Sequence, residues 1–182
     1  MQNYQDEREY IKQAFGSDTD MQCIDFEWAG RSACVMFLDG MIDKETLEDN
    51  ILLRLKMDNS PTPPTIERLQ ALTVYTTPIA ELTDREQAVL GLAGGDILLL
   101  VDGAKSIFVY SEKSYAVRSI SEPPVASVLR GPREGFVEDM KVNLTMIRRR
   151  LATPKLRTKM LNVGKYSRTK ISLIYIDGIA DK

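Results

Sequence analysis

Residues 97–103 read Ile97-Leu98-Leu99-Leu100-Val101-Asp102-Gly103, and Ile107-Phe108-Val109-Tyr110 follows shortly after. A short, wholly apolar run bounded by turn residues reads as a strand buried on both faces, which belongs inside a sheet. Asp102-Gly103 is a favoured pair for a type I′ turn, so 107–110 is expected to fold back as the antiparallel partner. These few residues make the chain a sheet protein with cover on both sides.

Upstream, Thr83 to Glu86 has the spacing of a capping box and Gly94-Gly95 offers a left-handed stop, predicting a helix over about 84–93. Asp43 is a good N-cap for a helix whose apolar positions, Leu47, Ile51 and Leu55, recur every four residues. Pro61-Thr62-Pro63-Pro64 ends it. A short helix around Ile66, Leu69 and Leu72 is expected next, then extended chain through Val74-Tyr75. Nearer the N-terminus, Ile24, Phe26 and Trp28 alternate on one strand, and Ala33, Val35 and Phe37 on another, around a turn near Gly30-Arg31. With Trp28 opposite Ala33, the two cysteines, Cys23 and Cys34, fall four rungs apart. That is roughly 13 Å, too far for a disulfide. Residues 1–20 read as a polar helix ending at Gly16-Ser17-Asp18, with Tyr4, Ile11 and Phe15 turned to the core.

Downstream, Ser121-Glu122-Pro123-Pro124 marks a loop. Val137, Met140, Leu144, Ile147 and Leu151 step by three and four, which predicts a helix over 136–151 lying on one face of the sheet. Thr153-Pro154 closes it. Met160 to Val163 and Ile171 to Ile176 form a second hairpin around Lys165-Tyr166-Ser167-Arg168. The fold class is therefore mixed α/β: a central mixed sheet built from hairpins, with flanking helices. Residues 1–182 are expected to form a single domain or subdomain, with a candidate internal division near 59–65. A weak repeat aligns Val35-Met36-Phe37-Leu38-Asp39-Gly40 with Leu173-Ile174-Tyr175-Ile176-Asp177-Gly178. The first copy runs on into a helix and the second stops at Lys182, so the chain is expected to be a fragment of a longer protein.

Composition narrows function by exclusion. The chain has 182 residues, is 43% hydrophobic and 27% charged, and contains no histidine. Ser-His and Cys-His catalysis are thereby removed, along with the commonest metal ligand. The N-terminus is polar and mostly acidic, unlike a signal peptide. The strongly apolar run Ile97 to Val101 falls far short of the roughly 20 residues that span a membrane. Net charge is only −2, yet residues 1–102 carry 19 acids and 8 bases, and residues 103–182 carry 7 acids and 16 bases. A basic half can serve nucleic acid or anionic lipid, or can face the acidic half of its own chain.

The candidate site residues follow from this. The Asp-Gly pairs at 39–40, 102–103 and 177–178 are what tight turns require. Arg130, Gly131, Arg133, Glu134 and Gly135 form a rigid loop before a helix start, able to contact an anion or a neighbouring subunit. Arg148 and Arg149 lie in the last turn of that helix, where the dipole favours cations. No Cys, His or acid cluster has metal-ligand spacing. No catalytic residue, metal or cofactor is expected, and too few aromatics interleave with the bases for nucleic acid.

Four segments carry a resemblance: Ser121 to Pro124, Arg130 to Phe136, Asn143 to Arg150, and Ile176 to Ala180. In order and spacing they resemble the GerA family, the A subunits of nutrient germinant receptors in Bacillus and Clostridium spores. The resemblance implies a hydrophilic N-terminal region ahead of membrane helices that are missing here. It also implies B and C subunits and further A subunits as partners, and residence in the inner membrane of the spore. No catalytic residues are implied. The expected function is a non-enzymatic domain that transmits the nutrient signal or assembles the receptor. The alternative is a small anionic-ligand module built on the Arg130–Gly135 loop.

Overall fold

The computed structural model describes residues 4–17, 19–60, 62–73, 79–111 and 135–180. Five strands form one sheet in the order β1-β2-β4-β5-β3, each neighbouring pair antiparallel. They are β1 (Met21–Trp28), β2 (Arg31–Leu38), β3 (Ile79–Leu82), β4 (Ile97–Val101) and β5 (Ile107–Tyr110). The apolar run at 97–101 is the middle strand, buried at every position. Its alternation supplies two cores. Leu98 and Leu100 meet Ile11 and Phe15 of α1 (Tyr4–Phe15). Ile97, Leu99 and Val101 face Leu47, Ile51 and Leu55 on the other side.

That second cover is a helical run made of α2 (Lys44–Thr46), a π-helical stretch over Leu47–Leu52, and α3 (Leu53–Met57). Asp43 caps it as expected, accepting from the Glu45 amide at 3.1 Å. Next comes α4 (Ile66–Leu72); residues 74–78, with the expected extension at Val74-Tyr75, lie outside the described residues. α5 (Arg85–Ala93) completes the first layer, where Leu92 packs with Ile11 and Phe15. Its cap is Asp84, which accepts from the Glu86 amide, and not Thr83. Among the described residues, four-residue β3 is an edge strand that the sequence reading did not anticipate.

Two turns exchange roles. The type I′ geometry belongs to the first hairpin, where both Ala29 (φ 51°) and Gly30 (φ 74°) are left-handed. At the second, only Gly103 is left-handed, and Ala104 donates to the Val101 carbonyl at 3.1 Å. The expected two-residue I′ turn at Asp102-Gly103 is therefore a longer connection. The first hairpin consequently pairs Trp28 with Arg31, and not with Ala33. Asp25 now faces Cys34 directly and Cys23 sits on the adjacent diagonal, so the four-rung separation of the cysteines is overturned.

A three-residue polar cluster ties α3 and α4 to β1. Asp58 accepts from Trp28 Nε1 and from Arg68 Nε, both at 2.9 Å, and from the Ser60 amide at 3.1 Å. Arg68 also lies over the Trp28 ring, 4.9 Å from its centre. Burial pushes the Asp58 carboxyl up, but these hydrogen bonds outweigh it and hold it below its ordinary value of 3.8. A depressed carboxylate gives stability that is present above the unfolded pKa and lost as pH falls toward the folded one. Asp58→Asn should thus shrink the loss of urea resistance between pH 7 and pH 3. An unchanged pH slope would show that Asp58 does not contribute to acid sensitivity.

Candidate functional site: an arginine-anchored hairpin

The C-terminal third forms α6 (Met140–Arg150) and a separate hairpin, β6 (Leu156–Val163) with β7 (Thr169–Ile176). The helix is shorter than the expected 136–151. It begins after its N-cap Asp139, whose side chain accepts from the Lys141 amide at 2.8 Å. Val137 precedes it, its amide bound by Asn143 Oδ1 at 2.8 Å, and Leu151 is exposed. The buried face is Leu144, Thr145 and Arg148 with Met146, and not the full apolar stripe.

The helix is held at the ends of β1 and β2, instead of lying across a sheet face. Arg148 is fully buried against a buried Asp20, with Nε 3.2 Å from one carboxylate oxygen and Nη2 on the other. Its remaining donors reach the carbonyls of Thr153 (3.2 Å) and Leu156 (3.1 Å). Sequence reasoning read Arg148 as a dipole-favoured cation in the helix's last turn and a candidate contact residue; in the structure it is an internal tie. Thr145 Oγ1 donates to the Gly40 carbonyl at 3.0 Å. Gly40 is left-handed (φ 87°), and a Cβ there would stand 2.7 Å from that hydroxyl, so only glycine fits. Asp39 bridges Lys44 and Lys141, each at 3.0 Å.

Arg157 anchors the hairpin itself. Its Nη1 donates to the carbonyls of Ala14 (3.3 Å) and Phe15 at the C-terminal end of α1, where free carbonyls and the dipole favour a cation. Nη2 reaches Asp177 at 3.0 Å. The basic half of the chain therefore docks on the acidic half through Arg148–Asp20 and Lys141–Asp39. The repeat also has local substance. Asp39 and Asp177 each follow a hairpin, precede a left-handed glycine and hold a basic side chain. Their amides donate to the carbonyls of Asp20 and Lys155, which precede the two hairpins.

Beyond these anchors the hairpin stands out from the body. Strand alternation puts Leu161, Val163, Ile171 and Leu173 on one face with Lys159 and Thr169, Leu161 being paired to Ile171. The apolar side chains are, in that order, 40%, 49%, 43% and 51% exposed. Ile179, just past the hairpin, is 78% exposed. Of the sequence candidates, Arg130, Gly131, Arg133 and Glu134 lie outside the described residues, as do Ser121 to Pro124. Gly135 is half-buried and Arg149 is on the exposed side of α6. The anchoring residues Arg157 and Asp20 carried no local signal that could have singled them out.

A second cluster follows from the corrected register. The sulfurs of Cys23 and Cys34 and a carboxylate oxygen of Asp25 all lie within 4.8 Å of one another. Arg8 donates to Asp25 Oδ2 at 2.6 Å and approaches Cys23 Sγ at 3.9 Å. Hydrogen bonding with Cys34 and with Arg8 outweighs burial and holds the Cys23 thiol down at about 6. Cys34, buried and beside that sulfur, is pushed up.

The profile described as "Bacillus/Clostridium GerA spore germination protein" matches residues 9–182. The chain belongs to the GerA family. It is 29% identical over 175 residues to spore germination protein B1 of Bacillus subtilis (strain 168), covering 93% of this chain and 36% of that protein. To the uncharacterized membrane protein YfkQ of the same organism it is 29% identical over 167 residues, covering 91% of this chain and 32% of that protein. The chain thus spans about a third of the length of these curated relatives. The fold matches the crystallised N-terminal domain of the A subunit of the Bacillus megaterium spore germinant receptor GerK3. The TM-score is 0.72 at 23% identity, over 96% of this chain and 64% of that one. Among the described residues, no helix is long and apolar enough to cross a membrane.

Proposed function

We propose that this chain is a non-enzymatic lobe of a spore germinant receptor A subunit, working in nutrient-triggered germination by assembly and signal transmission. The observation that carries the reading is the largely apolar hairpin face held out on the Arg148 and Arg157 anchors. A tethered apolar face suits a fixed mechanical contact better than the binding of a small polar nutrient. Its occupant is the further polypeptide of the same subunit, since relatives are about three times longer and the crystallised GerK3 domain itself extends beyond the matched part. The B and C subunits, other A subunits and the inner spore membrane are the partners and location that this reading implies.

The test is made in the full receptor, with Leu161→Asp and Leu173→Asp together. Spores should then germinate poorly on every nutrient that the receptor senses, read as loss of optical density. A requirement for more of one nutrient alone would point to a ligand site, and normal germination would remove the face from the mechanism. A 182-residue chain extended by about 25 residues of its natural sequence, a helix with its connection, should melt at least about 2 °C higher. No gain would mean that the added segment does not cover the hairpin.

A further inference from the structure

The structure assigns Cys23, Asp25 and Cys34 as a three-donor site for a thiophilic divalent cation of the zinc class, with its fourth position open to water. Alternation along β1 turns Cys23 and Asp25 to the same face, and the observed register sets Cys34 directly across from Asp25. Two sulfurs and one oxygen, all within 4.8 Å of each other, can converge on one ion. Metal–sulfur bonds of about 2.3 Å in tetrahedral geometry would put the two sulfurs roughly 3.8 Å apart. Little movement is needed to reach that.

The same placement argues against a disulfide. Diagonal neighbours on antiparallel strands have Cα atoms about 7–8 Å apart, and pairs beyond about 7 Å cannot be bridged without moving the backbone. A metal joins the sulfurs without bringing the strands closer. Arg8 supports this arrangement. It holds Asp25 Oδ2 at 2.6 Å and leaves Oδ1 facing Cys23 Sγ at 3.9 Å, so one oxygen is oriented and the other is offered to the ion. Two thiolates and a carboxylate against a divalent cation and Arg8 sum to zero charge. Cys34 lies inside the first core while Asp25 is exposed, so the site has a rigid floor and a solvent-facing entrance.

The test is a cobalt chloride titration of the reduced 182-residue chain without oxygen. One equivalent of Co²⁺ should give a thiolate-to-cobalt band in the near ultraviolet, and Zn²⁺ should abolish it. Cys23→Ser and Cys34→Ser should each remove the band, and Asp25→Asn should weaken binding about tenfold or more. On the unmodified chain, Zn²⁺ should slow the reaction of Cys23 with a thiol reagent at least about tenfold, and EDTA should restore it. That measurement decides the matter if Cys34→Ser proves unfolded by circular dichroism. Absence of both the band and the protection, with two free thiols counted after denaturation, overturns the site. So does a band that survives in folded Cys34→Ser, or a thiol count showing that the two cysteines have oxidised together.

Discussion

Arg148→Ala should lower the free energy of unfolding by about 3–5 kcal/mol, read from urea denaturation of the 182-residue chain. The cost arises from what is left behind. Asp20 is buried too, and it would lose the guanidinium that both of its carboxylate oxygens bind. The Thr153 and Leu156 carbonyls lose their donors in the same step, which frees both the end of α6 and the start of β6. Arg148→Lys should recover only part of the loss, because one ammonium cannot match both carboxylate oxygens and two carbonyls as a planar fork does. Replacing the pair together, as Arg148→Met with Asp20→Leu, should cost far less than Arg148→Ala alone, since no orphaned charge remains. A loss below about 1 kcal/mol for Arg148→Ala would mean that water reaches Asp20 and that the tie is a surface pair.

What the sequence made legible was whatever is written locally. The central strand, the Asp43 cap and the apolar spacing of Leu47, Ile51 and Leu55 depend only on neighbours in the chain, and each stands as read. The first hairpin's register does not. A one-residue slip would have turned every side chain to the wrong face, but a two-residue slip keeps Ile24, Phe26 and Trp28 inside under either pairing. The deciding residue is Ala29, which takes a left-handed conformation that sequence rules reserve for Gly, Asn or Asp. The Cys23–Asp25–Cys34 cluster was hidden by that one choice. Arg148 was hidden for another reason: its acid lies 128 residues upstream, and an arginine in a helix's last turn already has a local explanation. Strand β3 has no clear alternation because, as an edge, it is fixed by pairing with β5 more than by its own pattern.

Leu99→Ala and Leu173→Ala should differ by several kcal/mol, although both remove the same side chain from a strand. Leu99 is fully buried on the middle strand, between Val35 and Phe108 on the neighbouring strands. Truncating it leaves a cavity in the second core that well-packed neighbours cannot fill, a loss of about 2–5 kcal/mol. Leu173 is half exposed, opposite Lys159 on the hairpin, so truncation in the 182-residue chain should change stability by no more than about 0.5 kcal/mol. The contrast also separates stability from assembly. If further polypeptide of the subunit covers the hairpin, the Leu173→Ala cost should rise above about 1 kcal/mol in a longer chain, where the side chain is buried. The Leu99→Ala cost should stay the same, since Leu173 lies outside the core cluster around Leu99. Equal values for Leu173→Ala in both lengths would show that the added polypeptide does not cover this face.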